Sequence, residues 1–308
     1  MHSRRDALKK LAGLVALTAV AGPSCAQPAP DASADSALGD AGAEAGTETA
    51  TEASAADAAL ISVAGLGLYT VRSEMEKSVE ATLARVAKVG YKEVEFAGYF
   101  GKRPAEIAAI LKSNGLTAPS VHVPLPEIRA KWDETLDAAS TIGHKFLVCP
   151  WVAEEERGAA DNWRQIAADL NKAGESASKA GFQLAYHNHD FEFAPIAGTN
   201  AYSILLAEAD PKLVKMELDL YWAAKSEQDP LALFKAYPGR FPLVHVKDMA
   251  KDGSFTEVGA GSIDFRRIFA RARQAGIRHY FVEQDQSNDP FASITKSYRA
   301  LRRIPAGR

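Results

Sequence analysis

Leu213-Val-Lys-Met-Glu-Leu-Asp219 and Pro242-Leu-Val-His-Val-Lys247 decide the fold. Each is a short apolar run that ends on ionisable residues, and an amphipathic segment over 230–237 separates them. Working outward, the same unit recurs. Apolar runs at 66–71, 92–96, 118–123, 145–149, 182–187, 213–219, 242–247 and 279–283 alternate with stretches of helical period near 76–89, 104–114, 129–142, 159–180, 201–208, 230–237, 264–275 and 290–303. Gly90, Gly115, Gly181 and Gly276 stand where helices stop before the next strand. Eight alternations predict an α/β chain folded as a (β/α)₈ TIM barrel. No Gly-x-Gly-x-x-Gly follows the first run, which argues against a dinucleotide-binding open sheet.

The barrel accounts for residues 61–308. Residues 1–26 carry Arg4-Arg5, Lys9 and Lys10 ahead of the apolar run Leu11–Gly22, the pattern of a twin-arginine export signal. That run is too short to span a bilayer, which takes roughly 20 apolar residues. Cys25 sits where a lipoprotein carries its acylated cysteine, so a lipid anchor there is expected beside ordinary cleavage near Ala26. Residues 27–60 hold seven acids, no base and no aromatic residue. Such a segment cannot bury enough apolar surface to offset its ordering entropy, and a disordered acidic linker is expected. The protein is therefore expected to be exported to the periplasm, tethered or free.

Of 308 residues, 47% are hydrophobic, and the formal net charge is −3. The body beyond the linker is close to neutral, with none of the basic footprint of a nucleic-acid binder. The two cysteines, Cys25 and Cys149, fall in different regions and make no disulfide framework. Nothing in the sequence sets the oligomeric state.

In such barrels the working groups gather at the C-terminal ends of the strands. Here the expected strands end on Glu95, His122, Pro150-Trp151, His187-Asn188-His189, Asp219, His245 with Lys247, and Glu283. Asp219, His245 and Glu283 come from three successive strands. Two carboxylates and an imidazole suit one divalent cation of the Mn²⁺, Mg²⁺ or Co²⁺ kind. His187 completes a four-ligand set, with His189 as the alternative. Residues two apart on a strand share a face, so His189, Glu217, Lys247 and Asp285 should join them. His279 starts its strand and reads as a structural residue of the bottom face, and His144 reads as exposed. Tyr69, Tyr221 and Trp222 offer an apolar platform for a sugar face.

Five motifs carry a resemblance: Ala-Tyr-His-Asn-His-Asp-Phe-Glu-Phe (185–193), Glu-Leu-Asp-Leu-Tyr-Trp (217–222), His-Val-Lys-Asp (245–248), Val-Gly-Ala-Gly-Ser-Ile-Asp-Phe (258–265) and Val-Glu-Gln-Asp (282–285). From about residue 65 onward the chain resembles the xylose isomerase-like TIM-barrel superfamily, in its sugar phosphate isomerase/epimerase branch. The resemblance implies one metal, commonly manganese, on His187, Asp219, His245 and Glu283. Many ketose epimerases of the superfamily have a glutamate where this chain has His187, which is more like the inosose dehydratase branch. Ala260 replaces a glutamate often found in the Gly-rich loop, and no basic cluster beyond Lys247 and Arg72 marks a phosphate site.

The implied chemistry is proton removal beside a carbonyl of a small-molecule carbohydrate. Glu283, His187, His189 and Lys247 are the candidates for proton transfer and electrostatic help. Tyr69, Glu95, His122, Trp151, Trp222 and Lys247 are the expected substrate contacts. Isomerisation or epimerisation of a keto-sugar or keto-glycoside is the leading expectation, with a lyase or dehydratase next. A non-catalytic sugar-binding lipoprotein is the alternative of another class. The superfamily's abasic-site endonucleases are disfavoured by the near-neutral body.

Overall fold

The computed structural model describes residues 63–304. The expected export signal (1–26), the whole expected linker (27–60) and Cys25 lie outside the described residues. Eight parallel strands close into a barrel: β1 (Gly65–Gly67), β2 (Glu93–Phe96), β3 (Thr117–His122), β4 (Phe146–Cys149), β5 (Gln183–His187), β6 (Val214–Asp219), β7 (Leu243–Val246) and β8 (His279–Val282). Each pairs with its sequence neighbour, and β1 closes on β8 through Gly65–Phe281 and Leu66–Val282. The helices lie between strands as the periodicity predicts, the longest being Ala160–Lys179.

One strand differs from expectation. The run 66–71 was read as extended, but only Gly65–Gly67 is, and Leu68–Val71 turns into a 3₁₀ helix. Leu68 and Val71 are both fully buried and three apart, a spacing that a helical turn satisfies and an alternating strand does not.

Alternation builds the interior in layers. Phe146, Val148, Ala185, Leu243 and Phe281 form an apolar cluster of their own, separate from the large core between strands and helices. Two residues further along the same strands come His187, His245 and Glu283, and two further again His189, Lys247 and Asp285. The apolar layer thus seats the polar floor above it. Below, the His279 Nδ1 lies 2.8 Å from Glu93 Oε2, the structural bottom-face role expected of it.

Between β2 and β3 the register slips by one residue: Glu93 faces Thr117 but Glu95 faces Ser120. The extra residue lies in the Ala118-Pro119 stretch, where a proline's missing N–H is tolerated. The slip puts the Ser120 hydroxyl 2.5 Å from Glu95 Oε1.

His144 was expected to be exposed and is fully buried. Its Nδ1–H donates to Ala118 O at 2.6 Å, and its Nε2 accepts from Tyr99 Oη at 3.1 Å. Two partners for two ring nitrogens make burial tolerable, which residue type alone does not reveal. Burial pushes its pKa down to about 4. A histidine with a folded-state pKa below its unfolded value of ~6.5 gives stability that is intact above pH 6.5 and drains away toward pH 4. At ~1.4 kcal/mol per pKa unit, this residue should account for about 3 kcal/mol of acid destabilisation. Urea unfolding at pH 7 and pH 4.5 should show a clearly shallower acid loss in His144→Gln, and an unchanged loss would contradict it.

Candidate active site

Donor atoms of His187, Asp219 and His245 lie within 4.8 Å of one another on the barrel floor, and Glu283 joins them against His245. His187 Nε2 lies 3.4 Å from Asp219 Oδ2, which lies 3.7 Å from His245 Nδ1, and that nitrogen lies 2.6 Å from Glu283 Oε2. None of the four makes a well-formed hydrogen bond within the protein, although the Lys247 ammonium stands 2.9 Å from Asp219 Oδ2. Leaving buried polar atoms unpaired costs on the order of 1–3 kcal/mol each, so their convergence calls for a common partner.

The backs of these side chains explain why the fronts are free. His187 Nδ1 faces Pro150 O at 3.3 Å, which places the proton there and the lone pair on Nε2. His245 Nε2 lies 2.6 Å from Glu95 Oε2, which holds a proton there. Burial opposes a charge on the ring, but Glu283, Glu217 and Glu95 outweigh it and hold its pKa well above the usual imidazole value, so Nδ1 shares a second proton with Glu283 that a cation would displace. Asp219 commits Oδ1 to the backbone N–H groups of Tyr221 and Trp222, capping the helix Leu220–Lys225. Its own N–H donates to Asn188 Oδ1, so the Asn between the two β5-end histidines holds the neighbouring strand. Glu283 fits only because β1 ends on glycine: a Cβ at Gly67 would lie 2.9 Å from Glu283 Oε2.

Beneath lies a second cluster. His122 Nε2 is 3.0 Å from Glu217 Oε2 and 3.1 Å from Glu95 Oε2, and His245 Nε2 is 3.3 Å from the same Glu217 oxygen. Burial opposes a charge on His122, but Glu95 and Glu217 outweigh it and push its pKa up to about 10. Burial and the charge of Glu95 raise Glu217 to about 7. The pair of carboxylates is thereby balanced by an imidazolium.

At the upper layer the Lys247 Nζ lies 2.9 Å from Asp219 Oδ2, 3.6 Å from Glu283 Oε1 and 2.6 Å from Asp285 Oδ1. Burial opposes its charge, yet these carboxylates hold it protonated and raise its pKa. Asp285 moves the other way: burial and Glu283 lift it to about 6 despite Lys247. His189 is held neutral, its pKa pushed down to about 2 by burial, His187 and Lys247. Its buried Nδ1 has no partner.

A cavity of about 860 Å³ opens above this floor, with His122, His187, His189, Lys247, Glu283 and Asp285 at its inner end. Among the expected substrate contacts, Tyr69, Trp151, His122 and Lys247 line it. Glu95 does not: it is 1% exposed and its oxygens are taken by Ser120 and His245. Trp222 does not line it either. The indole sits on the helix after β6, packed on Phe255 at 5.6 Å and beside Lys247. Tyr221 is buried with its hydroxyl on Gly253 O, so the expected platform reduces to Tyr69. Asp285 was read only as a supporting residue. Its displaced pKa comes from Glu283 and Lys247 at close range, and spacing gives no sign of that.

The described residues contain two groups of metal-ligating type, His187–Asp219–His245 and Glu95–His122–Glu217–His245. In the second, the donor atoms largely satisfy one another, whereas in the first they are left over. The atoms left over, two imidazole nitrogens and carboxylate oxygens, are a fitting donor set for a divalent cation.

The xylose isomerase-like TIM barrel family profile matches residues 83–304. The inosose dehydratase of Lacticaseibacillus casei is 24% identical over 268 residues, covering 73% of this chain and 89% of that protein. The crystal structure of a sugar phosphate isomerase/epimerase from Parabacteroides distasonis ATCC 8503 superposes with a TM-score of 0.71 at 28% identity, over 80% of this chain and 95% of that one. The IOLI protein, solved with a bound zinc atom, shares the fold with a TM-score of 0.62 at 15% identity, over 79% and 98% of the two chains. This chain belongs to the xylose isomerase-like TIM barrel family, an enzyme superfamily.

Proposed function

We infer that the protein is a metal-dependent isomerase or epimerase that removes a proton beside the carbonyl of a keto-sugar. The observation carrying this reading is the convergence of four unpartnered donor atoms under a cavity that also holds a carboxyl titrating near pH 6. His187, Asp219, His245 and Glu283 would hold one divalent cation, Mn²⁺ being the expected ion. Bound there, it supplies a Lewis acid that draws negative charge onto the substrate's carbonyl oxygen.

The remaining work falls to the chain's own groups. His187 and Glu283, with their free atoms turned into the convergence, are ligands in this reading rather than bases. Asp285 is then the proton acceptor, because its pKa lies closest to neutral and its carboxyl lines the cavity. Lys247, 2.6 Å away and permanently charged, stabilises the ionised carboxylate and the anionic transition state beside it. His189 comes from β5 rather than β8 and, being neutral, has a free nitrogen able to hydrogen-bond a substrate hydroxyl. Lyase or dehydratase chemistry is the second reading, favoured by the similarity to inosose dehydratases and by His187 in place of a second opposed carboxylate. Both readings share the first proton removal and part at the fate of the electron pair.

Metal analysis of the purified full chain should find about one divalent ion per chain. Asp219→Asn should weaken that binding by well over tenfold, and Gly67→Ala, which displaces the Glu283 carboxylate, by roughly tenfold or more. Full retention of metal in both variants would exclude the four-residue site.

In D₂O the metal-loaded protein should exchange the α-protons of one member of a panel of ketoses and 3-keto-glycosides, followed by proton NMR. The exchange rate should rise with pH to a plateau with its midpoint at or below about 6, because a cation on Glu283 and Asp219 draws Asp285 downward, and Asp285→Asn should lose at least a hundredfold. Exchange throughout the panel below the buffer background would leave only a sugar binder. Appearance of a deoxy-enone product would assign the lyase. The reading includes export: fractionation of cells making the full chain should place it in the envelope, with Cys25→Ser released from the membrane fraction.

A further inference from the structure

The cavity is larger than one sugar ring requires. A hexose displaces on the order of 200 Å³, six or seven waters at about 30 Å³ each. The space above the floor is about 860 Å³, near the top of the usual range of roughly 300–1,000 Å³ for small-molecule sites. Metal-site and proton-transfer groups occupy only its inner end. An outer arm runs away from them, past the loop after β2 and along the helix Trp132–Ile142. Tyr99, Val123, Glu127, Lys131 and Thr135 line it.

This arm is built rather than left over. Gly98, Phe100 and Gly101 all take positive φ, at 101°, 52° and 75°, and the non-glycine at 52° is a conformation that costs energy. The bend presents Tyr99 as a wall, and the buried neutral His144 fixes it from behind by accepting the Tyr99 hydroxyl proton at 3.1 Å. At the mouth, Tyr69 and Trp151 are exposed by 42% and 47%, the only large aromatic side chains so exposed among the described residues. Each has a guanidinium nearby: Arg72 lies 4.0 Å from the Tyr69 ring centre and Arg157 4.9 Å from that of Trp151. Rings so held are ready surfaces for the C–H faces of a sugar, whose polarised hydrogens favour the negative face of a π-system.

Charge narrows the ligand class. The cavity lining includes no arginine. Lys247 is spent on three carboxylates, and Lys131 faces the arm together with Glu127 and Glu134. Arg72 and Arg157 at the mouth already donate to backbone carbonyls, of Tyr69 and Asp285 and of Val152, so a phosphate within the cavity finds no arginine in the lining and two acids in its way. Neutral hydroxyl groups suit this mixture, since carboxylates accept from them and the ammonium donates to them.

We propose that the substrate is a neutral glycoside with two rings: the keto-bearing ring lies on the floor, and a second sugar ring occupies the outer arm between Tyr99, Trp151 and Thr135. The proposal rests on the floor being the reacting end, as inferred above, and adds the identity of what is attached to it. The second ring supplies binding energy remote from the reacting carbon, which can be used to hold that carbon against the proton-transfer groups.

Calorimetric titration of the full chain with glucose, cellobiose, maltose, trehalose and glucose 6-phosphate tests this without turnover. The best-bound disaccharide should bind at least tenfold more tightly than glucose. Thr135→Arg, which fills the arm from a half-buried helix position, and Trp151→Ala, at an exposed one, should each bring that ratio close to one. Equal affinities for glucose and all three disaccharides would overturn the proposal, as would tighter binding of glucose 6-phosphate than of any disaccharide. Because affinity is read separately from α-proton exchange, a protein that selects disaccharides but exchanges nothing would sink the reaction and keep the two-ring site. A protein that exchanges protons but binds glucose and disaccharides alike would do the reverse.

Discussion

An imidazole has one lone pair to give, and in this barrel Glu95 decides which one His245 gives. The 2.6 Å contact from His245 Nε2 to Glu95 Oε2 crosses the barrel interior from β7 to β2. It holds the proton on the side away from the floor and leaves Nδ1 facing His187, Asp219 and Glu283. Remove that carboxylate and the ring is free to turn, and the convergence loses its central member. Ser120 in turn fixes Glu95, and Ser120 reaches it only because the β2–β3 register slips by one residue. A backbone irregularity on one side of the barrel thus sets the tautomer of a histidine on the other.

The interior also has to carry a dense set of ionisable groups in a place where unpaired charge is expensive. It does so in two tiers. In the lower tier, Glu95 and Glu217 share His122 and His245. In the upper tier, Lys247 stands among Asp219, Glu283 and Asp285. One ammonium against three carboxylates leaves the upper tier short of positive charge, and a divalent cation at the adjoining unpartnered atoms would supply what is missing. Burial and the neighbouring Glu283 lift Asp285, the carboxyl nearest solvent, to about 6, which is the basis on which it is proposed as the proton acceptor.

Much of this was legible in the sequence. Eight alternations gave the barrel, and the two-residue strand period put His187 with His189, Glu217 with Asp219, and Glu283 with Asp285 before any coordinate was consulted. What alternation reads is which face a residue is on. It does not read how far apart two residues on the same face are across the barrel. Glu95 therefore looked like a cavity residue and proved to be the partner of His245, and Asp285 looked secondary. His144 looked exposed because its burial depends on the Tyr99 hydroxyl and the Ala118 carbonyl, two groups that local pattern does not connect. Residues 68–71 were read as strand because the run is apolar, and an apolar run without clear alternation fits a buried turn equally well. Trp222 follows Asp219 at a helical spacing that carries it behind Lys247 rather than over the cavity.

The two halves of the barrel divide the labour. Every member of the convergence and all three upper-tier carboxyls around Lys247 come from β5 to β8, while the outer arm comes from the connections after β2, β3 and β4. The family motifs fall on the first half of that division, so similarity reports the floor and is nearly silent about the arm. Proton removal next to a carbonyl is the reaction proposed for the floor. Whether the electron pair then returns as a proton transfer or expels a substituent depends on how the remainder of the substrate is held, and that is set by residues such as Tyr99, Thr135 and Trp151 that the motifs do not include. A barrel of this kind can therefore change substrate by altering three loops while the metal-ligating type of floor stays as it is, which is why the family relationship speaks to the floor more firmly than to the name of the product.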